Sequence, residues 1–241
     1  VILIIIKMKS KTQTIEVITS DSEHWYPSPK KKNVFYPSVT TINAVYPKGV
    51  GFNKYLTEQT SWESAQETLE EAGKRGTLVH LGTERLERGD VLHQEEYQIN
   101  EWQRLMGFVN WFKIHQPILL KSEYKVVSDK YKTGGTIDRI YKIGDEHIIL
   151  DIKTGKRMYK NYWLQVAAYE KLVTETKQFP KIDCLAVLRL TPLRKEYFEY
   201  VVSSDWTEDW KAFEACRVIW NLENGKDAKP KILTLPTELK L

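Results

Sequence analysis

The sequence predicts an α/β protein in which a central mixed β-sheet is flanked by helices and preceded by N-terminal helical additions. A chain of 241 residues that is 41% hydrophobic can bury one sizeable core, so a single domain is expected. The hydrophobic period changes from helical to alternating after residue 120 and returns to helical at residue 160. No internal repeat or low-complexity tract interrupts this order, which is typical of an α/β domain.

The first third of the chain is predicted to contain one strand, one irregular stretch and two helices. The strand covers residues 13–19, and the polar residues 21–36 form a loop or a hairpin end. Residues 43–56 are rich in glycine, proline and aromatic side chains, so an irregular conformation is expected. Two glycines are expected to separate a helix at 60–72 from a second helix at 77–88.

The rest of the chain is predicted to alternate between helices and strands. Residues 97–114 place five apolar side chains at helical spacing, which predicts a stripe that faces the core: Ile99, Trp102, Met106, Val109 and Phe112. Alternating patterns predict three strands at 121–129, 133–144 and 145–155, with a tight turn at Gly144-Asp145. The remaining elements are a helix, two strands and a helix, at 160–175, 181–190, 196–202 and 206–223.

The composition limits the classes of function. The N-terminal apolar run has six residues, and no stretch of eighteen is present, so neither a membrane span nor a signal peptide is expected. Met8 could itself begin the protein, so residues 1–7 are excluded from the reasoning about the site. Cys184 and Cys216 are expected to be buried free thiols in a reducing, cytoplasmic compartment. Two thiols cannot supply a four-cysteine zinc or iron–sulfur site.

The charge of the chain is mildly basic. A formal net charge of +4 is weak support for a polyanionic partner, because scattered lysines also keep proteins soluble. The basic residues that flank the candidate site are Lys30, Lys31, Lys32, Lys125, Lys130, Lys132, Lys153, Lys156, Arg157 and Lys160.

Two acids and a lysine lie in two neighbouring predicted strands. Asp138 lies inside an otherwise apolar strand, Asp151 ends the next strand, and Lys153 projects on the same face as Asp151. If the strands form a hairpin, both carboxylates lie near one edge of the sheet and repel each other unless a cation such as Mg²⁺ or Mn²⁺ lies between them. The alternatives are a turn acid at Asp138 and a surface ion pair between Asp151 and Lys153; an acid in an apolar strand is costly unless it is paired.

These parts are the ones that metal-assisted phosphodiester hydrolysis needs. The lysine could orient or deprotonate an attacking water and offset the charge on a pentacoordinate phosphate. In nucleases the common arrangement uses two metal ions about 3.5–4 Å apart.

Four motifs in order resemble the PD-(D/E)XK nuclease superfamily, and more narrowly its RecB-like exonuclease branch. They are Gly76-Thr77-Leu78-Val79-His80, Gly134-Gly135-Thr136-Ile137-Asp138, Asp151-Ile152-Lys153, and Gln165-Val166-Ala167-Ala168-Tyr169. The resemblance spans residues 76–190 and implies a restriction-endonuclease-like core at 76–205 within a single nuclease domain. Residues 1–75 would then be N-terminal additions, and residues 206–241 a C-terminal helix and tail.

The resemblance also implies which residues hold the metal. Asp138, Asp151, the neutral imidazole of His80 and the backbone carbonyl of Ile152 would be ligands of Mg²⁺ or Mn²⁺, as one or two ions. Alone, His80 would more often be a core histidine. Glu123 is either a further ligand or an exposed strand residue, since some relatives carry an acid near this position.

Gln165 and Tyr169 are four residues apart and therefore lie on one face of their helix. The resemblance implies that they face the site and hold the scissile strand or the catalytic Lys153, and the alternative is that both are surface residues. Asp138 and Asp151 complete the predicted catalytic set.

The segment at residues 36–42, YPSVTTI, is similar to a P-S-V-T-x-I segment of mitochondrial genome maintenance exonucleases and phage-encoded relatives. Hydroxyl groups at a helix start suit phosphate contacts and helix caps equally well. The predicted DNA contacts are Ser38, Thr40, Lys156, Arg157 and Lys160.

The implied function is a Mg²⁺- or Mn²⁺-dependent DNA exonuclease that hydrolyses a DNA end, with single-stranded DNA threaded beneath the N-terminal helices. The chain lacks the four cysteines of iron–sulfur relatives and the G-x-x-x-x-G-K-[ST] motif, so neither that cluster nor ATP is expected. It would act alone or with protein partners in a DNA-processing complex. Two alternatives are a structure- or sequence-specific endonuclease and a catalytically decayed nucleic-acid-binding subunit. Repair, recombination, phage DNA processing and organellar genome maintenance all remain open.

Overall fold

The computed structural model describes residues 17–19, 23–177 and 179–230. A small antiparallel sheet is formed by β1 (Ile18–Thr19), β2 (His24–Pro27) and β3 (Phe35–Pro37). The hairpin end expected at 21–36 is therefore confirmed for its described part, whereas the predicted strand residues 13–16 lie outside the described residues.

The main sheet has five strands in the order β4-β5-β6-β7-β8. They are β4 (Ile118–Ser128), β5 (Thr133–Ile143), β6 (Glu146–Lys153), β7 (Cys184–Leu190) and β8 (Phe198–Ser203). Only the β6–β7 pair is parallel, and α5 (Lys160–Thr176) makes the crossover that a parallel pair requires. The predicted α/β fold with a central mixed sheet flanked by helices is confirmed.

Helices cover both faces of this sheet. On one face α1 (Val39–Asn43), α5 and α6 (Thr207–Asn224) enclose a core with side chains such as Ile140, Ile149 and Leu185. On the other face α3 (Trp62–Glu87) and α4 (Ile99–His115) cover Tyr141, Leu150 and Leu188. Among the described residues, no helix is both long enough and apolar enough to cross a lipid bilayer.

Two predictions about the N-terminal helices were wrong. One continuous helix, α3, replaces the two predicted helices, because Ser61 caps its start and the 26-residue helix passes through Gly73 and Gly76. A glycine costs a helix only about 1 kcal/mol, which the rest of a long helix outweighs. The stretch predicted to be irregular contains α2 (Val50–Thr57), a short helix with no buried residue.

The predicted core-facing stripe of α4 was also wrong in part. Ile99 and Met106 are exposed, and the most deeply buried side chains are Leu105, Phe108 and Trp111. Apolar residues cover more than one face of this helix, so periodicity alone could not select the face that packs against the sheet.

Candidate active site

The candidate site lies between the middle of β5 and the end of β6. The two strands are antiparallel, and the Arg139–Leu150 pair places Asp138 next to Asp151, one residue further along. The Oδ2 atom of Asp138 accepts a hydrogen bond of 2.7 Å from the backbone amide of Ile152. The hairpin that the sequence predicted therefore brings the two acid-bearing strand segments together.

A possible metal-binding group is formed by His80, Glu123 and Asp138. One ligand atom from each residue lies within 4.8 Å of the other two, and His80 Nδ1 is 3.6 Å from Asp138 Oδ2. The three residues come from α3, β4 and β5, so the group exists only in the folded chain. Two carboxylates and an imidazole are donors that suit Mg²⁺ or, with its greater tolerance for nitrogen, Mn²⁺.

The backbone of Glu123 is strained. The φ angle of Glu123 is 47°, in the left-handed region, although the residue lies in a strand and is not a glycine. The neighbouring pairs Ser122–Arg139 and Tyr124–Ile137 place it opposite Asp138. Such a conformation costs roughly 1–3 kcal/mol and occurs most often at functional sites. The strain supports a site role for Glu123, which the sequence left undecided.

A hydrogen-bonded network surrounds the catalytic lysine predicted from the sequence. Lys153 Nζ lies 2.8 Å from Asp151 Oδ2 and donates to Gln165 Oε1 at 3.1 Å. The Gln165 amide nitrogen donates to Asp151 Oδ1 at 2.9 Å and to the Tyr169 hydroxyl oxygen at 3.0 Å. Asp151, Gln165 and Tyr169 are buried, so none of them is a surface residue.

Asp151 is not part of the possible metal-binding group of His80, Glu123 and Asp138. Its carboxylate is held instead by Lys153 and Gln165. It remains close enough that the charge of Asp138 raises its pKa. The roles of Asp151 and of the Ile152 carbonyl as metal ligands stay predictions.

Burial and the charge of Asp138 together raise the pKa values of Glu123 and Asp151. Burial raises the pKa of Glu123 to about 8, and the charge of Asp138 adds to this shift. Burial likewise raises the pKa of Asp151, although Lys153 opposes it. Burial alone would lower the pKa of Lys153, but the carboxylates of Asp151 and Asp138 outweigh burial and raise it. A divalent cation would therefore relieve a real excess of negative charge.

We expect the gain in melting temperature on adding Mn²⁺ to be larger near about pH 8.5 than near about pH 6. A carboxyl group whose folded pKa is raised stabilises the fold below its unfolded pKa of about 4.3, and this contribution is lost as pH rises through the folded value. A bound cation offsets that loss because it favours the charged carboxylate. Glu123 keeps 41% of its side chain exposed, so solvent screens part of the effect.

Thermal melts in EDTA and in Mn²⁺ across this pH range would measure the gain. Glu123→Gln should reduce the pH dependence of this gain, because a neutral amide has no carboxyl proton to lose, and Asp151, whose pKa is also raised, should account for part of what remains. Equal gains at both ends of the range would contradict this role of Glu123.

Sequence reasoning missed a buried polar network behind the site. Arg139 is fully buried and donates to Glu87 Oε2 at 2.6 Å, to Thr83 Oγ1 at 3.0 Å and to Glu123 Oε1 at 3.3 Å. The Thr83 hydroxyl in turn donates to the His80 carbonyl at 2.7 Å. The only signal in the sequence was an arginine inside an apolar strand, since its partners on α3 are more than fifty residues away.

The glycine pair before Asp138 allows aromatic rings to approach the strand. A Cβ atom on Gly134 would lie 2.4 Å from the Tyr26 ring, and one on Gly135 would lie 2.5 Å from the Tyr169 ring. The Tyr26 hydroxyl also forms a 2.8 Å hydrogen bond with Thr136 Oγ1. The small N-terminal sheet therefore packs directly on the strand that carries Asp138.

The five predicted DNA contacts have different surroundings. Ser38 is buried and caps α1 by accepting a 2.9 Å hydrogen bond from the Thr41 amide, whereas Thr40 is exposed. Lys156 and Arg157 are exposed on the loop after β6. Lys160 forms a 2.5 Å ion pair with Asp209. Capping accounts for the burial of Ser38, and DNA contact by any of the five stays a prediction.

No protein-family model and no curated protein matches the chain. Among solved structures, SSO0001 matches with 15% identity and a TM-score of 0.32 over 51% of this chain and 60% of its own length, less than two thirds of that protein. LHK-Exo in complex with dAMP matches with 10% identity and a TM-score of 0.40, over 77% of this chain and 86% of that one. The alkaline exonuclease LHK-Exo from Laribacter hongkongensis matches with 10% identity and a TM-score of 0.38, over 77% and 88%. What this chain does is therefore argued from its own side chains.

Proposed function

We propose that the chain is a metal-dependent deoxyribonuclease that hydrolyses phosphodiester bonds from a DNA end and engages single-stranded DNA. The observation that carries this proposal is the position of a buried lysine network beside a group of possible metal ligands. His80, Glu123 and Asp138 form that group, and Lys153 is held by Asp151 on the neighbouring strand.

The residues present fit a hard divalent cation. The group offers two carboxylates and one imidazole, and Asp138 is fixed by the Ile152 amide. His80, Glu123 and Asp138 would hold the ion, with Asp151 and the Ile152 carbonyl as further candidates. Such an ion would supply Lewis-acid activation of the phosphate and of the attacking water.

Lys153 is best assigned as a positive charge that faces the reacting phosphate. Its raised pKa keeps the ammonium protonated, which favours stabilisation of developing negative charge over removal of a proton from water. Of the two roles that the sequence allowed for this lysine, the electrostatic one agrees better with its contacts.

Gln165 and Tyr169 are positioning residues in this proposal. Gln165 contacts both members of the Lys153–Asp151 pair and is itself fixed by the Tyr169 hydroxyl. The chain of contacts runs from α5 to the end of β6, so the helix sets the direction of the ammonium group. This precise orientation is what a preorganised site needs.

The choice of a DNA end as substrate rests on the combination of His80 with the Gln165–Tyr169 pair, which resembles the RecB-like exonucleases. The test compares linear and covalently closed circular single-stranded DNA, each with Mg²⁺ or Mn²⁺ and with EDTA. We expect rapid loss of linear strands that needs the metal, and resistance of the circles. Asp138→Asn, which keeps the shape and removes the charge, is the matched inactive control.

Other results would point to other functions. Circles cut as fast as linear strands would replace the exonuclease with an endonuclease on the same core. DNA binding without cleavage of any substrate, unchanged by Asp151→Asn, would indicate a nucleic-acid-binding subunit.

A further inference from the structure

Two hairpin turns bring five exposed lysines together. We name the set the lysine surface: Lys30, Lys31, Lys32, Lys130 and Lys132. The first three lie between β2 and β3, and the other two lie between β4 and β5. In the ranges that the structure describes, no carboxylate lies within ion-pair distance of any of the five. Their charges are therefore available to a ligand.

Specific contacts hold the two turns side by side. Asp129 Oδ1 accepts hydrogen bonds from the Ser28 hydroxyl at 2.5 Å and from the Tyr36 hydroxyl at 2.8 Å. Tyr26 packs on Gly134 just after the second turn. Asp129, in the turn between β4 and β5, therefore links the two turns through its hydrogen bonds. The lysines of both turns form one surface.

The lysine surface lies at the same end of the main sheet as the candidate active site. Strand β5 leads from the second turn to Asp138 in five residues, a distance of about 17 Å at about 3.3 Å per residue. Because β6 is antiparallel to β5, it ends at this same end, where Lys153 and the exposed Lys156 and Arg157 lie. Basic side chains therefore lie on two sides of the candidate active site: the lysine surface on one side, and Lys156 and Arg157 on the other.

We propose that the lysine surface binds the phosphate backbone of the nucleic acid a few nucleotides from the scissile bond. This inference rests on the proposed function and adds the path of the substrate. Five exposed lysines on two adjoining turns produce a local positive field that attracts a phosphate backbone.

The test measures binding of fluorescent oligo(dT) in Ca²⁺, where cleavage is not needed, as a function of salt. The variants are Lys31→Gln/Lys32→Gln and Lys130→Gln/Lys132→Gln. For strands of about twenty nucleotides, each pair should reduce the slope of log K against log salt by about 1.4, or about 0.7 per lost phosphate contact. Affinity at about 0.1 M salt should fall about 25-fold, because a slope change of about 1.4 acts over the one decade of salt below about 1 M. Strands of about two nucleotides, whose single backbone step cannot span about 17 Å, should bind to the variants as they bind to the wild type.

The matched control is Lys142→Gln/Lys181→Gln, which removes the same charge near the opposite end of the sheet. This control should leave the slope within about 0.3 of wild type. If the slopes of both test variants equal that of the control, or if short strands lose as much affinity as long ones, the lysine surface is not a docking site. Melting curves would establish that all variants are folded.

Failure of this inference can be told apart from failure of the proposed function. If the wild-type chain cleaves linear DNA but the lysine variants leave the salt slope unchanged, only the proposed docking surface is wrong. If the chain binds long strands through the lysines but cleaves no DNA, the docking surface is supported and the proposed nuclease activity is wrong.

Discussion

Lys153→Ala is expected to lower the cleavage rate by about 10²- to 10³-fold, the loss typical of a charge-stabilising group at a preorganised site. The side chain is 22% exposed, and its ammonium group is directed by Asp151 and Gln165. Asp138→Ala should also abolish cleavage, because it removes a carboxylate from the possible metal-binding group. DNA affinity in Ca²⁺ should stay within a few-fold of wild type for both variants.

Single-turnover cleavage of end-labelled DNA and fluorescence binding of the same strand would separate the two effects. Lys171→Ala is the matched control, since Lys171 also pairs with a mostly buried carboxylate, Glu170 at 3.2 Å, but lies outside the site. It should cleave like wild type. A loss of binding as large as the loss of cleavage would show that Lys153 holds the substrate instead of acting on the phosphate.

Local pattern alone could predict which side chains of the site share a face, whereas the expectation that Gln165 and Tyr169 face Lys153 came from the family resemblance. Asp151 and Lys153 are two apart in a strand, and Gln165 and Tyr169 are four apart in a helix, so strand and helix geometry decide which side chains share a face. The pairing of β5 with β6 followed from the tight turn predicted at Gly144-Asp145.

The remaining features depend on contacts between distant segments. The partners of Arg139 on α3 precede it by more than fifty residues, and no period in the sequence links them. The strained φ angle of Glu123 occurs where β4 pairs with β5. Because the residue is not a glycine, its left-handed conformation could not be predicted from the sequence. Ser38 was ambiguous because a cap and a phosphate contact need the same hydroxyl, and only its burial identifies the cap.

Arg139→Met is expected to destabilise the fold by about 3–5 kcal/mol, because breaking a buried ion pair leaves an uncompensated charge. Arg139 is fully buried, and its partner Glu87 has a side chain that is only 2% exposed. In a domain of this size each kcal/mol shifts the melting temperature by about 2–4 °C, so a drop of about 10 °C is expected. Burial already raises the pKa of Glu87, and losing Arg139 should raise it further.

The cause of that loss can be isolated with two further variants. Arg139→Met combined with Glu87→Met should recover a large part of the stability, since hydrophobic side chains can replace a buried pair. Arg88→Met breaks an exposed pair with Glu84 on the same helix and should cost less than about 1 kcal/mol. The single variant should also lose less stability near about pH 5 than near about pH 8, because the unpaired Glu87 can then take up a proton. If the double variant melts as low as the single one, the unpaired carboxylate is not the source of the loss, and packing around Arg139 is.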